Sequence, residues 1–571
     1  MKVGLVYPPS LCRDNECFPI PGLALPGTAN ALRRAGHEAR FFDFDIRFHP
    51  VLRDPRRRRS LELLADRRKV PAYLRGELPP EQARAVRSVQ KALLGLRPLE
   101  KCGLYDITLD YVVKDLNAAA LIAQEIKRRF SAPVALDYSR MGRRILPGIL
   151  RAYPVFDYAV WGNAQGPMLR LAQRLEGKAV PLVHTWARRG SEVVEHVGAT
   201  EGLPHCGPGY CHQDFAGYPL EEYKVKARDL LRRYEGGPRF ARALGDAEQI
   251  IVPYRFETTC RGCCAFCDND PAAPSDRKSP EETVDDLLTL KKLGVTGVFF
   301  RNPSFNNDYD FTSRLCDRMI EAGLGLQWSD YANLRSLDEQ LLRKMRDAGA
   351  VRLDFGMETG SDRLFRYVRK GVTREKAERW LRCSHELGLW NQINVVGGLP
   401  TETDEDIRET VGFLRASARH VDTYAVNPFY LYREAPFYLE AGKFGLRPLP
   451  SPAGGEDYFS ADARAGYVTE RFDEIGGLAW AEKDAQIRRS ARTVAETIAE
   501  VSSFGVIDQD HTHLLMYLYG RLGYGRKDLI RRIFKSCSRS FKPYHMPDFY
   551  RCRRYPKQDY VRVAQPAAGE R

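Results

Sequence analysis

The chain has 571 residues and a net charge of +14, from 88 lysines and arginines against 74 aspartates and glutamates. That length exceeds what one hydrophobic core fills, so two or three domains are expected, and 43% hydrophobic with 28% charged residues argues against a disordered chain. No run of about 18 apolar residues suggests a membrane span, and the opening "MKVGLVYPPS" lacks a secretory apolar region. The expected compartment is therefore the cytoplasm, with no membrane partner, where thirteen cysteines read as free thiols, metal ligands or cluster ligands rather than disulfides. The positive charge is local, as in "RDPRRRRS" and "RKDLIRRIFKSCSRSFK", and carries no interleaved aromatics. It reads as solvated faces, not as a nucleic-acid site.

Residues 1–177 alternate short apolar strands with amphipathic helices: "KVGLVY", then "GTANALRRAG" closed by Gly36, then "ARFFDFD". His37 follows that helix stop and reads as a terminal residue of the helix. The rhythm resumes with "DITLDYVV", "LNAAALIAQEIKRRF", "APVALDYS" and "FDYAVWG", the last running into a helix from Gln165. This predicts a doubly wound Rossmann-like α/β sheet, which binds ligands outside its strands' carboxyl ends. The insertion at 46–104 is basic and helically patterned, and reads as an arm or lid over the mouth of a second domain.

Residues 178–249 read as an irregular linker. They contain "HCGPGYCH", in which His205, Cys206, Cys211 and His212 invite a zinc reading that their adjoining pairs do not support by spacing. From 250 to 435 the alternation is more regular, with strands expected at "IIVPYRFETT", "GVFFRN", "LGLQWSDYA", "VRLDFGMET", "NQINVVGGL" and "DTYAVNPFYLY". Six such units in about 180 residues suggest a partial (β/α)6 barrel, since the complete eight-fold one takes about 250. Residues 436–571 read as a mainly helical accessory domain, with a long helix at "AEKDAQIRRSARTVAETIAEV".

Chemistry concentrates in "TTCRGCCAFCDND". Cys260, Cys264 and Cys267 fit C-x3-C-x2-C on the loop after the first barrel strand, and Cys263 is extra. Structural zinc would want a second knuckle, and none follows at a finger-like distance. A redox pair leaves the third cysteine unexplained. Three thiolates on one loop suit a [4Fe–4S] cluster with one iron lacking a protein ligand.

This spacing, with Phe266 before the last cysteine, resembles the radical S-adenosylmethionine (radical SAM) superfamily, as do "RKSPEETVDDLLTLKKLGVTGVFFRNPSF", "LDEQLLRKMRDAGAVRLDFGMETGSDRL" and "NVVGGLPTETDEDIRETVGFL". The resemblance implies that SAM chelates the open iron and is cleaved by one-electron reduction to a 5′-deoxyadenosyl radical, with a reductant such as flavodoxin or ferredoxin. It places Phe266, Glu358, Gly397, Gly398 and Pro400 around SAM. Substrate groups are expected at the strands' carboxyl ends: Asp330 and Tyr331 as catalytic candidates, with Asn302, Ser304, Asn427 and Tyr430 nearby.

"KVGLVYPPS", "GLALPGTANALRRAGHEARFFDFD", "VFDYAVWGNAQGPMLRLAQRLEG" and "DFAGYPLEEY" resemble the cobalamin-binding domain preceding the barrel in one class of these enzymes. That resemblance implies cobalamin, with Pro8, Pro9 and Gly162 beside it. The cobalt-ligating pattern Asp-x-His-x-x-Gly is absent, "DITLDYVVKD" standing in its place, and "DYSRMGRR" and "WGNAQG" depart from the commoner glycine-rich loops. The implied activity is radical C-methylation, or a related radical transformation, of a small-molecule or peptide substrate. The alternatives are a cobalamin-independent radical SAM enzyme (cyclisation, oxidation or epimerisation), a tRNA-modifying methylthiotransferase using Cys12, Cys17 and Cys102, and a non-catalytic cluster-binding protein. Neither the cysteine spacing nor the tail fits the methylthiotransferase.

Overall fold

The computed structural model describes residues 1–10, 20–52, 61–109, 112–138, 145–198, 211–226, 248–269, 276–450, 470–502 and 512–537, with Asp229, Arg239, Phe240 and Leu244 besides. Two parallel sheets organise the chain. The first has seven strands in the order β2-β1-β3-β4-β5-β6-β7: β1 (Lys2–Tyr7), β2 (Glu38–Asp43), β3 (Leu104–Thr108), β4 (Val134–Asp137), β5 (Tyr158–Val160), β6 (Thr185–Arg189) and β7 (Glu192–His196). Strands β1 to β5 are parallel, and the order reverses between β1 and β3, which places a ligand crevice at their carboxyl ends.

Helices α1 (Ala24–Arg34), α2 (Asp45–Leu52), α3 (Lys69–Leu74), α4 (Pro80–Leu94), α5 (Val112–Phe130), α6 (Leu146–Ala152) and α7 (Gln165–Leu175) cover this sheet. Two expectations need correction. "DITLDYVV" is split: the strand ends at Thr108 and Val112 already opens α5. The stretch after residue 178 is not irregular, because β6 and β7 add an antiparallel hairpin to the sheet, closed by a Gly190-Ser191 loop with Gly190 at φ 63°. A two-residue loop led by glycine matches strand twist, so that dipeptide was the available signal.

The described part of the insertion packs on the first domain as an arm, not over the barrel. Leu61, Leu64, Val70, Val86, Val89 and Leu93 share a core with Leu116, Ala120 and Ile126 of α5, a core without barrel residues. Arg47 and Arg97 tie this region to Glu222 at 2.9 and 2.7 Å.

The second sheet has six parallel strands in sequence order: after the short pair β8 (Val225–Lys226) and β9 (Glu248–Gln249) come β10 (Ile251–Tyr254), β11 (Gly297–Phe300), β12 (Gln327–Ala332), β13 (Ala350–Glu358), β14 (Trp390–Gly397) and β15 (Thr423–Pro428). Helices α8 (Pro280–Lys292), α9 (Tyr309–Glu321), α10 (Glu339–Asp347), α11 (Asp362–Tyr367), α12 (Arg374–Glu386) and α13 (Asp404–Ser417) form the outer layer. Capping boxes at Ser279/Glu282 and Thr403/Asp406 start α8 and α13. Parity sorts the strands: Leu353, Phe355, Met357, Ile393 and Val395 face the helices, so Arg352, Asp354, Gln392 and Asn394 face the barrel interior.

After α14 (Pro436–Leu439), β16 (Leu446–Pro448) and β17 (Phe472–Glu474), the chain packs three helices on the barrel. In α15 (Trp480–Val501), Ala491, Val494 and Ile498 join the outer core. In α16 (Thr512–Leu522), Leu514 to Tyr519 pack against inward Ile251, Phe299 and Trp390, near the strands' amino ends, and so plug the bottom of the barrel. Helix α17 (Lys527–Cys537) is clamped through Asp422, which accepts from Lys527 and Arg531 at 2.9 and 2.7 Å. Helix α16 thus closes the amino end of the strands, whereas α14 and the start of α15 pack beside the cysteine loop, where Phe437 and Ile487 share a core with Ala265.

Candidate functional site

The cysteine loop sits at the carboxyl end of β10 and is held by amides. Asn269 accepts from the Cys260 N–H at 2.9 Å and donates to its carbonyl at 2.8 Å, and Asn307 does the same for the Arg261 N–H and the Thr259 carbonyl, at 2.8 and 2.9 Å. Ala265 N–H bonds the Val368 carbonyl at 3.0 Å, and Cys267 N–H closes a turn onto Cys264 at 3.1 Å. Cys260, Cys264 and Cys267 are half-buried, whereas Cys263 is exposed. Burial pushes the Cys264 thiol up, and pushes Cys267 up to about 12, and each feels the charge of its partners in the trio. A set of three soft sulfur donors on one braced loop fits a cluster with one open iron.

Two cations flank these thiols. Lys370 donates to Glu358 at 2.8 Å and lies 5.6 Å from the Phe266 ring centroid. Burial opposes its charge, but Glu358 and Cys264 hold its pKa above the ordinary value. Arg335 threads between two glycines: a Cβ on Gly262 would lie 2.6 Å from its Nη2, and one on Gly371 2.5 Å from its Cδ. Glu358 ends β13 with φ 66° at a shift in the β13–β14 register. A non-glycine residue in that conformation costs about 1–3 kcal/mol, the kind of strain that clusters at functional sites. Sequence reading found Glu358 but missed Lys370 and Arg335, whose roles depend on contacts far along the chain.

Below this mouth, the barrel floor is polar and closed. Arg352 donates to Ser329 at 3.0 Å, Asp354 at 3.1 Å and Gln392 at 2.7 Å, and Asp354 also accepts from Asn394 at 2.8 Å. Burial raises the Asp354 carboxyl to about 6 despite the opposing pull of Arg352. Further up, Tyr331, Gly356, Asn394, Val396 and Ala425 are partly exposed and Asn427 is exposed. The interior thus opens toward the cysteine loop. The Oδ1 atom of Asn394 is buried there without a hydrogen-bond partner.

Asp330 has the strand parity of Trp328 and Ala332, which join the outer core. It accepts from Asn302 at 2.8 Å and from the Tyr331 N–H at 2.9 Å, and burial raises it to about 8. Asn302 in turn holds the Phe256 and Glu257 amides at 3.0 and 3.1 Å, and Ser304 bonds Asn306 and Asn333 at 3.0 and 3.1 Å. These three residues tie strand ends together. Tyr331, with inward parity, meets the open part of the barrel, and Tyr430 is half-buried.

Gly397, Gly398 and Pro400 are buried at the end of β14. A Cβ on Gly397 would lie 2.4 Å from Ala491 N, and one on Gly398, at φ 84°, 2.4 Å from Ile487 Cα. The absent side chains therefore admit α15. Lys483, fully buried, donates to the Leu399 carbonyl at 2.7 Å and pairs with Glu474 at 2.8 Å. The Gly398 N–H donates to Glu402 at 3.0 Å, a carboxyl that burial raises to about 7.

At the first sheet, Pro8 and Pro9 follow β1 and are buried, and Gly162 follows β5 at φ 72°. Both places lie at the carboxyl edge. On the face covered by α1 and α7, Thr28 Oγ1, Gln165 Oε1 and both Asp106 oxygens are buried without hydrogen-bond partners. Burial, with Asp137 nearby, raises Asp106 well above the usual carboxylate range. Unsatisfied groups in a crevice fit a hydrogen-bonding ligand. Burial also pushes the Cys102 thiol up to about 11 inside the first core, while His37 bonds the amino terminus at 3.1 Å. Cys12, Cys17, His205, Cys206 and the "SRMGRR" stretch lie outside the described residues.

Residues 254–414 match the model of the Radical SAM superfamily. Over 170 residues the chain is 24% identical to an uncharacterised methyltransferase of Pyrococcus horikoshii, covering 29% of this chain and 37% of the relative. It is 25% identical to the anaerobic magnesium-protoporphyrin IX monomethyl ester cyclase of Rubrivivax gelatinosus, covering 29% and 31%, and 25% identical to the cytidylyl-2-hydroxyethylphosphonate methyltransferase of Streptomyces wedmorensis, covering 28% and 33%. The chain thus spans about a third of the length of these curated relatives. The fold is similar to that of the radical S-adenosylmethionine methyltransferase TsrM from Kitasatospora setae, solved with cobalamin and a [4Fe–4S] cluster: TM-score 0.56, 15% identity, covering 94% of this chain and 99% of that one. Among the described residues no helix is long and apolar enough to cross a membrane.

Proposed function

We propose that this chain, whose residues 254–414 form a radical SAM domain, holds a [4Fe–4S] cluster through Cys260, Cys264 and Cys267 and binds SAM at the open iron. In this reading residues 1–177, including the 46–104 insertion, bind cobalamin. Residues 178–249, whose β6–β7 hairpin completes the first sheet, lead on to the catalytic unit of 250–435, and residues 436–571 brace the barrel. The reaction is a radical C-methylation, or a related radical transformation, of a small-molecule or peptide substrate. The observation that carries it is the trio of half-buried thiols on one braced loop at the open end of the barrel, with Cys263 exposed outside it.

When bound, the cluster would supply one electron to the SAM sulfonium and cobalamin would carry the methyl group. The protein's part is placement and charge. Lys370 and Arg335 offset the negative charge of three thiolates, Glu358 offers its carboxylate to polar groups of SAM, and the Phe266 backbone lies where the adenine is expected. Gly397 to Pro400 form the neighbouring wall, set by Lys483 and Glu402. Tyr331, Asn394 and Asn427 face the substrate space, and Asp330 positions Tyr331. Pro8, Pro9 and Gly162 border the cobalamin crevice, into which Thr28, Gln165 and Asp106 present polar atoms. The electron donor is a one-electron carrier such as flavodoxin or ferredoxin.

Anaerobic reconstitution with iron, sulfide and hydroxocobalamin, followed by reduction in the presence of SAM, tests this reading. About four irons per chain, corrinoid absorbance retained through gel filtration and formation of 5′-deoxyadenosine are expected. A chain that keeps iron and cleaves SAM but retains no corrinoid supports the cobalamin-independent alternative. One that keeps iron and leaves SAM intact is a cluster-binding protein.

A further inference from the structure

The pair Cys211–His212 plays no part in the proposed reaction, yet it does not stand alone. Asp276, far along the chain, is folded beside it, and one ligand atom from each of the three residues lies within 4.8 Å of the others. Cys211 is fully buried, and His212 and Asp276 are half-buried. We propose that Cys211, His212 and Asp276 bind one zinc ion that pins the segment joining the two sheets to the base of the cysteine loop.

The donor set is one thiolate, one imidazole and one carboxylate, which suits zinc and fills three of its four tetrahedral positions, the last being left to solvent. The carboxylate is already turned toward the cysteine, because Asp276 Oδ2 accepts the Cys211 backbone N–H at 2.8 Å. Its Oδ1 then serves as the metal ligand. Such outer bonds orient a ligand before the metal arrives. The nearest cation is drawn aside by other partners. The Lys278 ammonium is held by Asp286 and by Tyr254 Oη, the latter at 3.0 Å.

The position gives the ion a structural task. After His212, Gln213 accepts from the Arg255 N–H at 3.2 Å and Asp214 N–H bonds the Pro26 carbonyl of α1 at 2.9 Å. The same short segment therefore touches the first sheet's helix and the barrel. From the other side, the Asp276 carbonyl accepts the Thr258 N–H at 3.2 Å, two residues before Cys260. A metal here would fix the approach of the first sheet to the cluster loop without belonging to either site.

The test uses the full chain with Cys260, Cys264 and Cys267 replaced by alanine, so that it does not depend on cluster iron or on the proposed reaction. Purified without added metal, this protein is expected to hold about one zinc per chain by plasma mass spectrometry. After chelation and Co(II) loading it should show an intense near-ultraviolet thiolate-to-cobalt band. Adding Cys211→Ser should abolish the band and lower zinc at least tenfold. Asp276→Asn keeps an oxygen acceptor for the Cys211 N–H, so it preserves the fold while weakening Zn(II) affinity at least tenfold. Zinc absent from the parent protein, zinc unchanged in Cys211→Ser, or equal Zn(II) affinity in Asp276→Asn would each overturn the proposal.

Discussion

The two parallel sheets treat their polar interiors differently. In the barrel, Arg352, Asp354, Gln392 and Ser329 satisfy one another below the mouth. In the first sheet, Thr28, Gln165 and Asp106 bury polar atoms that have no partner. A self-satisfied floor can stay rigid beneath reactive chemistry, since each charge already has its counterpart. An unsatisfied crevice carries a cost of about 1–3 kcal/mol per group that a hydrogen-bonding ligand can relieve. The barrel floor is thus complete as it stands, whereas the first sheet's crevice keeps polar groups that a ligand could satisfy.

The largest effect expected from this contrast is a separation of the two sites. Cys264→Ala should lower SAM cleavage by at least about a thousandfold by removing a cluster ligand, yet leave corrinoid uptake by the first sheet unchanged in gel filtration. Loss of both together would merge the two regions into one cooperative unit.

Next in size, Arg352→Met leaves Asp354 buried without its cation and should cost about 3–5 kcal/mol, read as a lower midpoint in urea. An unchanged midpoint would mean that the floor is not held by this pair.

Asp330, Glu402 and Asp354 have folded values of about 8, 7 and 6, each above the ordinary carboxyl value. Between pH 4 and pH 8 these three groups therefore bind fewer protons in the unfolded chain than in the folded one. Their contribution to stability is fully present below about pH 4 and is lost as pH rises through these values. Asp330→Asn should flatten the slope of stability against pH between about 4 and 8, and a slope equal to that of the parent would contradict the burial argument.

The smallest effect comes from Asp106→Leu. Without corrinoid it should stabilise the protein by about 1–3 kcal/mol, because an unpartnered buried carboxyl is removed, while corrinoid affinity falls about tenfold, the equivalent of one hydrogen bond. Destabilisation with unchanged affinity would show Asp106 to be a structural group.

Local signals carried the sequence reading furthest. The barrel strands and the cysteine spacing lie within short windows, and the observed strands fall inside or within one residue of the expected ones. What depends on distant contacts was not readable. The 46–104 helices have an amphipathic pattern that says they cover something but not what, and they cover α5. Gly397 and Gly398 signal a close approach without naming the neighbour, which is α15. Arg352 and Asp354 sit two apart in an ordinary strand, and only the barrel's closure brings Gln392 and Ser329 to them. Asp330 and Tyr331 were read together as candidates at one strand end, and alternation gives them opposite faces, Asp330 sharing the parity of outward Trp328 and Ala332.

The central claim is that three cysteines leave one iron open for SAM. Mössbauer spectroscopy of the 57Fe-reconstituted chain tests it most directly. About one quarter of the cluster iron should change its isomer shift when SAM is added, in the parent and in Cys263→Ala alike. A spectrum in which no iron site responds to SAM would contradict it.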